Sequence, residues 1–329
     1  MSNRSHWAHA TKELRQRLAR AISREELKEL HRLQPVKHLV VLAWQYLLLA
    51  LASTGSFLFD RWYLWLPCAV VAGFTIFNFT VMLHEVIHGS VFRGGERGGI
   101  NTFFGWLYAF PSGISRSQFK RWHLDHHAGL GTVDEDPKRH HLSPRRTARW
   151  CKMLYLTPAL IPIYFRAASR EAKIYSAELR HKIARQRLIT VFGQLAILGV
   201  IVVVFGWWIA MKVYLFPYFI VFPVAFTLNR LGQHYFIKPE DPAKWGTRMK
   251  RNLLWDVVFL YSSYHLEHHY FPRVPFYNLR RLNRALEPFW EEMGHRPVGY
   301  GELLWRWFVA NAIPHTDWDA PRGKRERPS

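Results

Sequence analysis

Four long apolar runs without a single Lys, Arg, Asp or Glu constrain this 329-residue chain more than any other feature. Each run is close to the length that a helix needs to cross a hydrocarbon core of about 30 Å. Asp60 and Arg61 separate the first pair of runs, and Lys212 interrupts the second pair. The runs therefore predict two transmembrane hairpins, with spans at about 38–59, 62–83, 188–211 and 213–229.

The basic residues are distributed unevenly along this pattern. The chain has 45 Lys and Arg against 24 Asp and Glu, a formal charge of +21. Four crossings place both termini and the middle segment on one side, together with every Lys and Arg except Arg61 and Lys212. The positive-inside rule makes this side cytosolic. The charge then indicates a face against anionic lipid, and no nucleic-acid partner is expected because no nucleic-acid motif is visible.

The polar segments divide the chain into three regions. We predict a basic helical segment in the cytosol, a membrane domain and a cytosolic tail, at 1–37, 38–293 and 294–329. Two further apolar stretches, 100–114 and 153–165, are short and broken by Gly or Pro, so we interpret them as interfacial or re-entrant. In the first region, Ser23 followed by Glu26 is typical of a helix start.

Three histidine clusters lie on the predicted cytosolic side, with the sequences HEVIH, HLDHH and HLEHH. Positions i, i+3 and i+4 share one helix face, and several neutral imidazoles on one face suit a transition metal. A catalytic zinc needs only three protein ligands, whereas eight imidazoles, together with a few extra ligands, suit two ions that are each five- or six-coordinate. Nitrogen-rich shells with open positions fit iron that activates oxygen. The eight are His84, His88, His123, His126, His127, His265, His268 and His269.

Other residues extend the predicted metal site. His234, shortly after the fourth run, is a ninth candidate ligand because it lies at the cytosolic end of a span, and Asn229 is a candidate weak or water-mediated ligand. Metal-bound histidines usually donate their second N–H to a carboxylate or a carbonyl. Asp125 is the first choice for that role among the interleaved acids Glu85, Asp125, Asp134, Asp136 and Glu267. The remaining histidines lack ligand spacing, and we expect His140 and His141 in an exposed loop.

The three clusters resemble the histidine boxes of the membrane-bound fatty acid desaturase and hydroxylase superfamily, and the likeness covers most of 38–290. The stretch from Asn101 to HLDHHAGLGTVDEDP, with QHYF and YHLEHHYFPRVP, resembles the sphingolipid Δ4 (dihydroceramide) desaturase branch. Bacterial acyl-lipid desaturases share much of this pattern. Two features depart from the Δ4 branch, namely Leu266 in the third box and Ser2 in place of a myristoylated Gly.

The resemblance implies an all-α membrane protein in which a cytosolic helical cap holds a non-haem diiron centre. It implies that O₂ and two electrons remove two hydrogens from a long fatty acyl or sphingoid chain. No HPGG haem motif occurs in the sequence, so we expect a separate electron donor, a ferredoxin or a cytochrome b5 with its reductase. The basic face would suit an acidic donor.

Four other interpretations remain. A lipid or carotenoid hydroxylase would use the same iron ligands. An intramembrane zinc protease would use His84, Glu85 and His88 but needs a third ligand from a later span, and the spans carry no acid. A metal transporter needs polar residues along a pathway inside the spans. Two haems held by histidine pairs would need isolated histidines within the spans, which are almost free of them.

Overall fold

The computed structural model describes residues 10–92, 99–132, 136–235, 237 and 241–315. Within these residues the chain is helical and contains no β-strand, which agrees with the predicted all-α class. The α-helices are α1 Lys12–Ala21, α2 Arg24–Leu30, α3 Pro35–Leu58, α4 Trp62–His88, α5 Gly99–Ala109, α6 Arg116–Gly129, α7 Arg149–Leu154, α8 Leu160–Glu171, α9 Ala177–Ala210, α10 Phe222–His234, α11 Leu253–Val258, α12 His265–Tyr270, α13 Phe276–Ala285, α14 Glu287–Glu292 and α15 Tyr300–Leu304.

Short helical segments of other types connect these elements. The 3₁₀ turns are Ala172–Ile174 and Pro242–Lys244, and the π-helical segments are Lys138–Leu142, Met211–Leu215, Pro217–Val221 and Trp305–Val309. The predicted cap at Ser23 is confirmed, because its hydroxyl accepts a hydrogen bond from the Glu26 backbone N–H and begins α2. Neither of the two short apolar stretches contains a helix long enough to cross a membrane, and their interfacial or re-entrant placement stays a prediction.

Three helical segments in the described residues are long and apolar enough to cross a membrane, namely Arg24–Leu58, Trp62–His88 and Ala177–His234. The third has 58 residues, nearly three times the length of about 20 residues that a single crossing needs. Its backbone breaks at Gly206, where φ is +82°. Beyond the break, the Tyr214 hydroxyl donates a 2.6 Å hydrogen bond to the Gln194 side chain. Residues 20 positions apart would lie about 30 Å apart in a continuous helix, so the chain reverses at Gly206.

The position of this reversal corrects the sequence prediction. Lys212 was expected to interrupt the apolar run, but it is fully buried and lies in the helical segment after the turn. Its ammonium donates a 2.9 Å hydrogen bond to the Phe59 carbonyl and lies 3.6 Å from Asp60. Glycine allows the positive φ that a reversal needs. A buried lysine, by contrast, can stay inside a helix when carbonyl groups accept hydrogen bonds from its ammonium group. Lys212 thus joins the tips of the two hairpins.

Aromatic packing connects the long helices to the short ones that follow the second hairpin. The Phe259 ring lies 5.8 Å from both Phe74 and Phe77 of α4. The next two residues, Leu260 and Tyr261, have positive φ values of 46° and 61°. Such values are uncommon outside glycine and cost about 1–3 kcal/mol per residue. This strained turn sets the direction of α12, which carries the third histidine cluster.

Candidate metal centre

Four helices bring all nine predicted histidines together at the end of the molecule opposite the hairpin tips. The last turns of α4 supply two of them, α6 and α12 supply three each, and α10 ends on the ninth, His234. They form two groups, and in each group the potential ligand nitrogens lie within 4.8 Å of one another. The five-histidine group is His84, His88, His123, His127 and His268, and the four-histidine group is His126, His234, His265 and His269.

The two groups do not coincide with the sequence clusters. Helix α6 gives His123 and His127 to one group and His126 to the other, because positions four apart share a face and the residue between them points about 100° away. The histidines of helix α12 divide in the same way: His268 belongs to the five-histidine group, and His265 and His269 belong to the four-histidine group. Each of these two helices therefore contributes to both groups.

The nitrogen spacing in the four-histidine group fits a shared ion. Nε2 of His234 lies 2.9 Å from Nε2 of His126 and 2.9 Å from Nε2 of His265. Nε2 of His265 lies 3.0 Å from Nε2 of His269. Adjacent ligands at right angles around an ion, with metal–nitrogen bonds of about 2.1 Å, would be separated by about 3.0 Å.

The outer ring nitrogens show why these contacts are not ordinary hydrogen bonds. Nδ1 of His126 donates to the Asp136 carboxylate at 2.8 Å, and Nδ1 of His234 donates to the Trp245 carbonyl at 3.2 Å. A neutral imidazole carries one proton, so both Nε2 atoms are left as lone pairs that face each other. Burial lowers the pKa of His126 to about 4, although Asp136 opposes this shift, so the ring stays neutral near pH 7. Two nitrogen lone pairs that point at each other repel, and a cation bound between them would turn this repulsion into attraction.

The five-histidine group has the same convergence with different surroundings. Nε2 of His88 lies 2.7 Å from Nε2 of His123, and Nε2 of His268 lies 3.1 Å from Nε2 of His127. Nε2 of His84 is buried and has no hydrogen-bond partner in the part of the chain that the structure describes. Burial holds the pKa values of His123, His127 and His268 well below the usual range. These residues fit a metal ion, and no other described group satisfies His84 Nε2.

A lysine that the sequence prediction missed lies beside this group. Nζ of Lys138 is 3.0 Å from Nδ1 of His123, and burial lowers the pKa of Lys138 to about 7. Its position depends on the π-helical segment Lys138–Leu142, whose first backbone N–H groups bind the Asp136 carboxylate. Neither the lysine nor the Trp245 carbonyl has a sequence pattern that would have marked it.

The expected role of Asp125 is wrong. Its carboxylate accepts a 2.8 Å hydrogen bond from Arg121 one turn earlier, and Asp136 takes the position beside a cluster histidine instead. Glu85 lies 3.3 Å from Nδ1 of His84, and its other oxygen accepts hydrogen bonds from the Ser90 hydroxyl and from the Phe276 N–H that begins α13. Asp134 lies outside the described residues.

Glu267 lies between the ligands of α12 but points away from them. One carboxylate oxygen accepts from Asn283, and the other has no partner among the described residues. Burial raises the pKa of Glu267 to about 7. Asn229 lines the smaller cavity beside the histidines, and its side chain donates to Ser262 at 2.7 Å and accepts from Gln233 at 2.6 Å.

Among the residues that the structure describes, the histidines that lack ligand spacing lie outside both groups. His181 is exposed, as expected. His141 is not in an exposed loop, since Nε2 lies 3.3 Å from Glu171 and the side chain is largely covered. His38 is buried against the Tyr108 hydroxyl, and His315 is also buried. The structure describes neither the His140 side chain nor His6 and His9.

Two cavities lead from the histidines toward the hairpins. The first, about 90 Å³, contacts both groups through His84, His234 and His265 among others. The second, about 250 Å³, is almost entirely apolar and lies between α9, the π-helical segments and α10. Both are lined by Thr80, Phe119, Tyr164 and Phe226. The combined lining follows the chain from Tyr214 to His234, 20 residues or about 30 Å of helix, which is long enough for an extended lipid chain.

Several known proteins are similar to this chain over most of its length. The chain is 26% identical to an sn-1 acyl-lipid omega-3 desaturase (ferredoxin) of Synechocystis, and the alignment covers 70% of this chain and 69% of that protein. A putative sphingolipid delta(4)-desaturase/C4-monooxygenase of Caenorhabditis elegans is 26% identical over 71% of this chain and 61% of its own length. A human sphingolipid delta(4)-desaturase/C4-monooxygenase is 24% identical over 77% of this chain and 74% of its own length.

The family model for fatty acid desaturases matches residues 60–301, which include all nine clustered histidines and most of the membrane helices. The long apolar helices and the match to this family both indicate a membrane protein. The chain therefore belongs to the fatty acid desaturase family, and it is an oxidoreductase that desaturates lipids.

Proposed function

We propose that the chain holds two non-haem irons, one in each histidine group, and uses them to desaturate a long fatty acyl or sphingoid chain. The observation that carries this proposal is the pair of Nε2 lone pairs of His126 and His234, which lie 2.9 Å apart. His234 lines the smaller cavity, and that cavity shares lining residues with the larger apolar one. Neutral nitrogen ligands with open coordination positions suit iron that reacts with O₂. When bound, such a centre supplies the oxidising power needed to break an unactivated C–H bond.

The chain's own residues position the substrate and exclude water. The apolar cavity takes the lipid chain lengthwise, and the aromatic neck of Phe119, Tyr164 and Phe226 directs it past the histidines. Asp136 and the Trp245 carbonyl fix two imidazole tautomers, which keeps the Nε2 lone pairs available for metal. The lipid loses two hydrogens, and O₂ takes these, two protons and two electrons to give two waters.

The electrons come from a separate donor in this proposal. The name of the Synechocystis relative includes ferredoxin, and the basic excess of this chain favours an acidic partner such as ferredoxin or a cytochrome b5. We further propose four crossings in two hairpins, with the histidines and both termini on the cytosolic side. The reversal at Gly206 and the joined hairpin tips support that topology.

A hydroxylase remains the second candidate, because two relatives carry C4-monooxygenase in their names. A zinc protease is disfavoured, since Glu85 binds Ser90 and the start of α13 and is not free to act as a base.

Lipid mass spectrometry of a host that expresses the protein tests the proposal. We expect a lipid chain lighter by two hydrogen atoms, formed only with O₂ and a reduced donor, and absent with His268→Ala. Gain of one oxygen as the main product would select the hydroxylase. Unchanged lipids, with iron bound and donor supplied, would reject both.

A further inference from the structure

Three short helical segments on the histidine-bearing side expose large apolar side chains. Helix α11 exposes Leu253, Leu254 and Val257, each by more than 60%. Trp150 of α7 is 63% exposed, and Trp305 and Val309 of the last π-helical segment are each 57% exposed. We call this set, Trp150, Leu253, Leu254, Val257, Trp305 and Val309, the apolar collar. None of these residues belongs to the long apolar runs.

Direct contacts connect the elements that carry the collar. The Trp255 ring of α11 lies 4.6 Å from the Tyr300 ring of α15, and α15 continues without a break into Trp305–Val309. Arg149 of α7 donates to the carbonyls of Phe308 and Val309 at 2.9 and 2.8 Å. The three segments are therefore neighbours in one packed layer.

Contacts to the long helices give the depth of this layer. Phe259, just after α11, packs on Phe77, seven residues before His84 in α4. Tyr155, just after α7, accepts a hydrogen bond from Thr227, seven residues before His234 in α10. Both contacts lie about 10 Å below the histidines along their helices.

The rise per residue of α4 also gives the height of this layer relative to the hydrocarbon core of the bilayer. Phe77 is 15 residues after Trp62, the first residue of α4, or about 22 Å along the helix. A hydrocarbon core of about 30 Å that begins near Trp62 would end several ångströms beyond Phe77. The layer therefore meets the boundary between acyl chains and headgroups.

We infer that the apolar collar is a membrane-binding surface that lies in the leaflet on the histidine side, with its side chains among the upper acyl chains. Tryptophan favours this boundary, and both collar tryptophans are exposed there. Arg145 and Arg146 precede α7, and Lys250 and Arg251 precede α11, so cations flank the apolar residues at the level of anionic headgroups. This inference rests on the proposed hairpin crossings but not on the proposed reaction.

Spin labels on single cysteines test the inference in vesicles of phosphatidylcholine and phosphatidylserine. In a background of Cys68→Ala and Cys151→Ala, labels are placed at Leu254→Cys and at three reference positions. Val203, 86% exposed in the apolar run, reports lipid, and Glu178 reports water. Ile174 is the matched control, because it is 73% exposed like the collar residues but precedes α9 on the polar side.

We expect the Leu254 label to collide often with O₂ and rarely with a water-soluble nickel chelate, as at Val203. Ile174 should behave like Glu178. Water-like values at Leu254 would overturn the inference. Spin–spin broadening at Leu254 that grows with protein density would also overturn it, because a second copy of the chain would then cover the collar. Neither reading depends on iron or turnover, so failure here is separable from failure of the proposed function.

Discussion

The two histidine groups differ in how firmly the protein holds them. All four members of the four-histidine group are buried, and two of them have outer nitrogens fixed by Asp136 and by the Trp245 carbonyl. The five-histidine group has an extra ligand, but three of its members are only partly buried, and a lysine contacts His123 where a carboxylate would be expected. The comparison indicates that the four-histidine group is already arranged for metal binding, whereas the side chains of the five-histidine group become fully ordered only when the ion binds.

The largest effect is expected when a ligand is removed from the four-histidine group. His234→Ala should lose one of two irons and all activity, because three imidazoles remain and Nδ1 no longer binds Trp245. Metal analysis of the purified protein measures the loss, and zinc in place of iron would contradict the diiron proposal. His181→Ala, at an exposed histidine, should match wild type. Equal, mild effects of both variants would remove His234 from the site.

A smaller effect is expected from the residue that orients a ligand. Asp136→Asn keeps the shape but no longer fixes the His126 tautomer, so metal affinity of the four-histidine group should fall about 10–100-fold. Asp125→Asn is the matched control, since its partner is Arg121, and metal binding should stay unchanged. Competition with a chelator measures both. A larger loss from Asp125→Asn would reverse the assignment of the two carboxylates.

A further test concerns the acid stability of the metal-free protein. The pKa of His126 is about 4 in the folded state, below an unfolded value of about 6.5, so the unfolded chain takes up protons first. The contribution of each such histidine to stability should be constant above about pH 7 and fall between pH 6.5 and 4, by at most about 1.4 kcal/mol per pH unit. Thermal unfolding from pH 8 to 5 measures this. A flat profile would show that the histidines are not buried before metal binds.

Local patterns predicted much of this molecule. Charge-free runs predicted the long helices, and the i, i+3, i+4 spacing predicted the histidines that meet. The spacing could not predict that neighbouring His126 and His127 enter different groups, because that depends on which helices pack against each face of α6. Asp125 was chosen for its place within a cluster, yet Arg121 one turn away binds it, and Asp136 reaches His126 from a separate segment. The turn at Gly206 was missed because a buried lysine was interpreted as a break.

The strained turn before α12 has a consequence for how the centre is filled. All four members of the four-histidine group are buried, so an ion can reach their nitrogens only if some element opens, and strain stored in a turn lowers the cost of opening the element beside it. Leu260 and Tyr261 have positive φ values, and we expect them to return to ordinary backbone angles if α12 moves away, which would recover part of the cost of opening. We therefore expect α12 to move away to admit the metal. Its backbone amides should exchange hydrogen faster than those of α4 or α10 in the metal-free protein, and they should be protected from exchange once metal is bound.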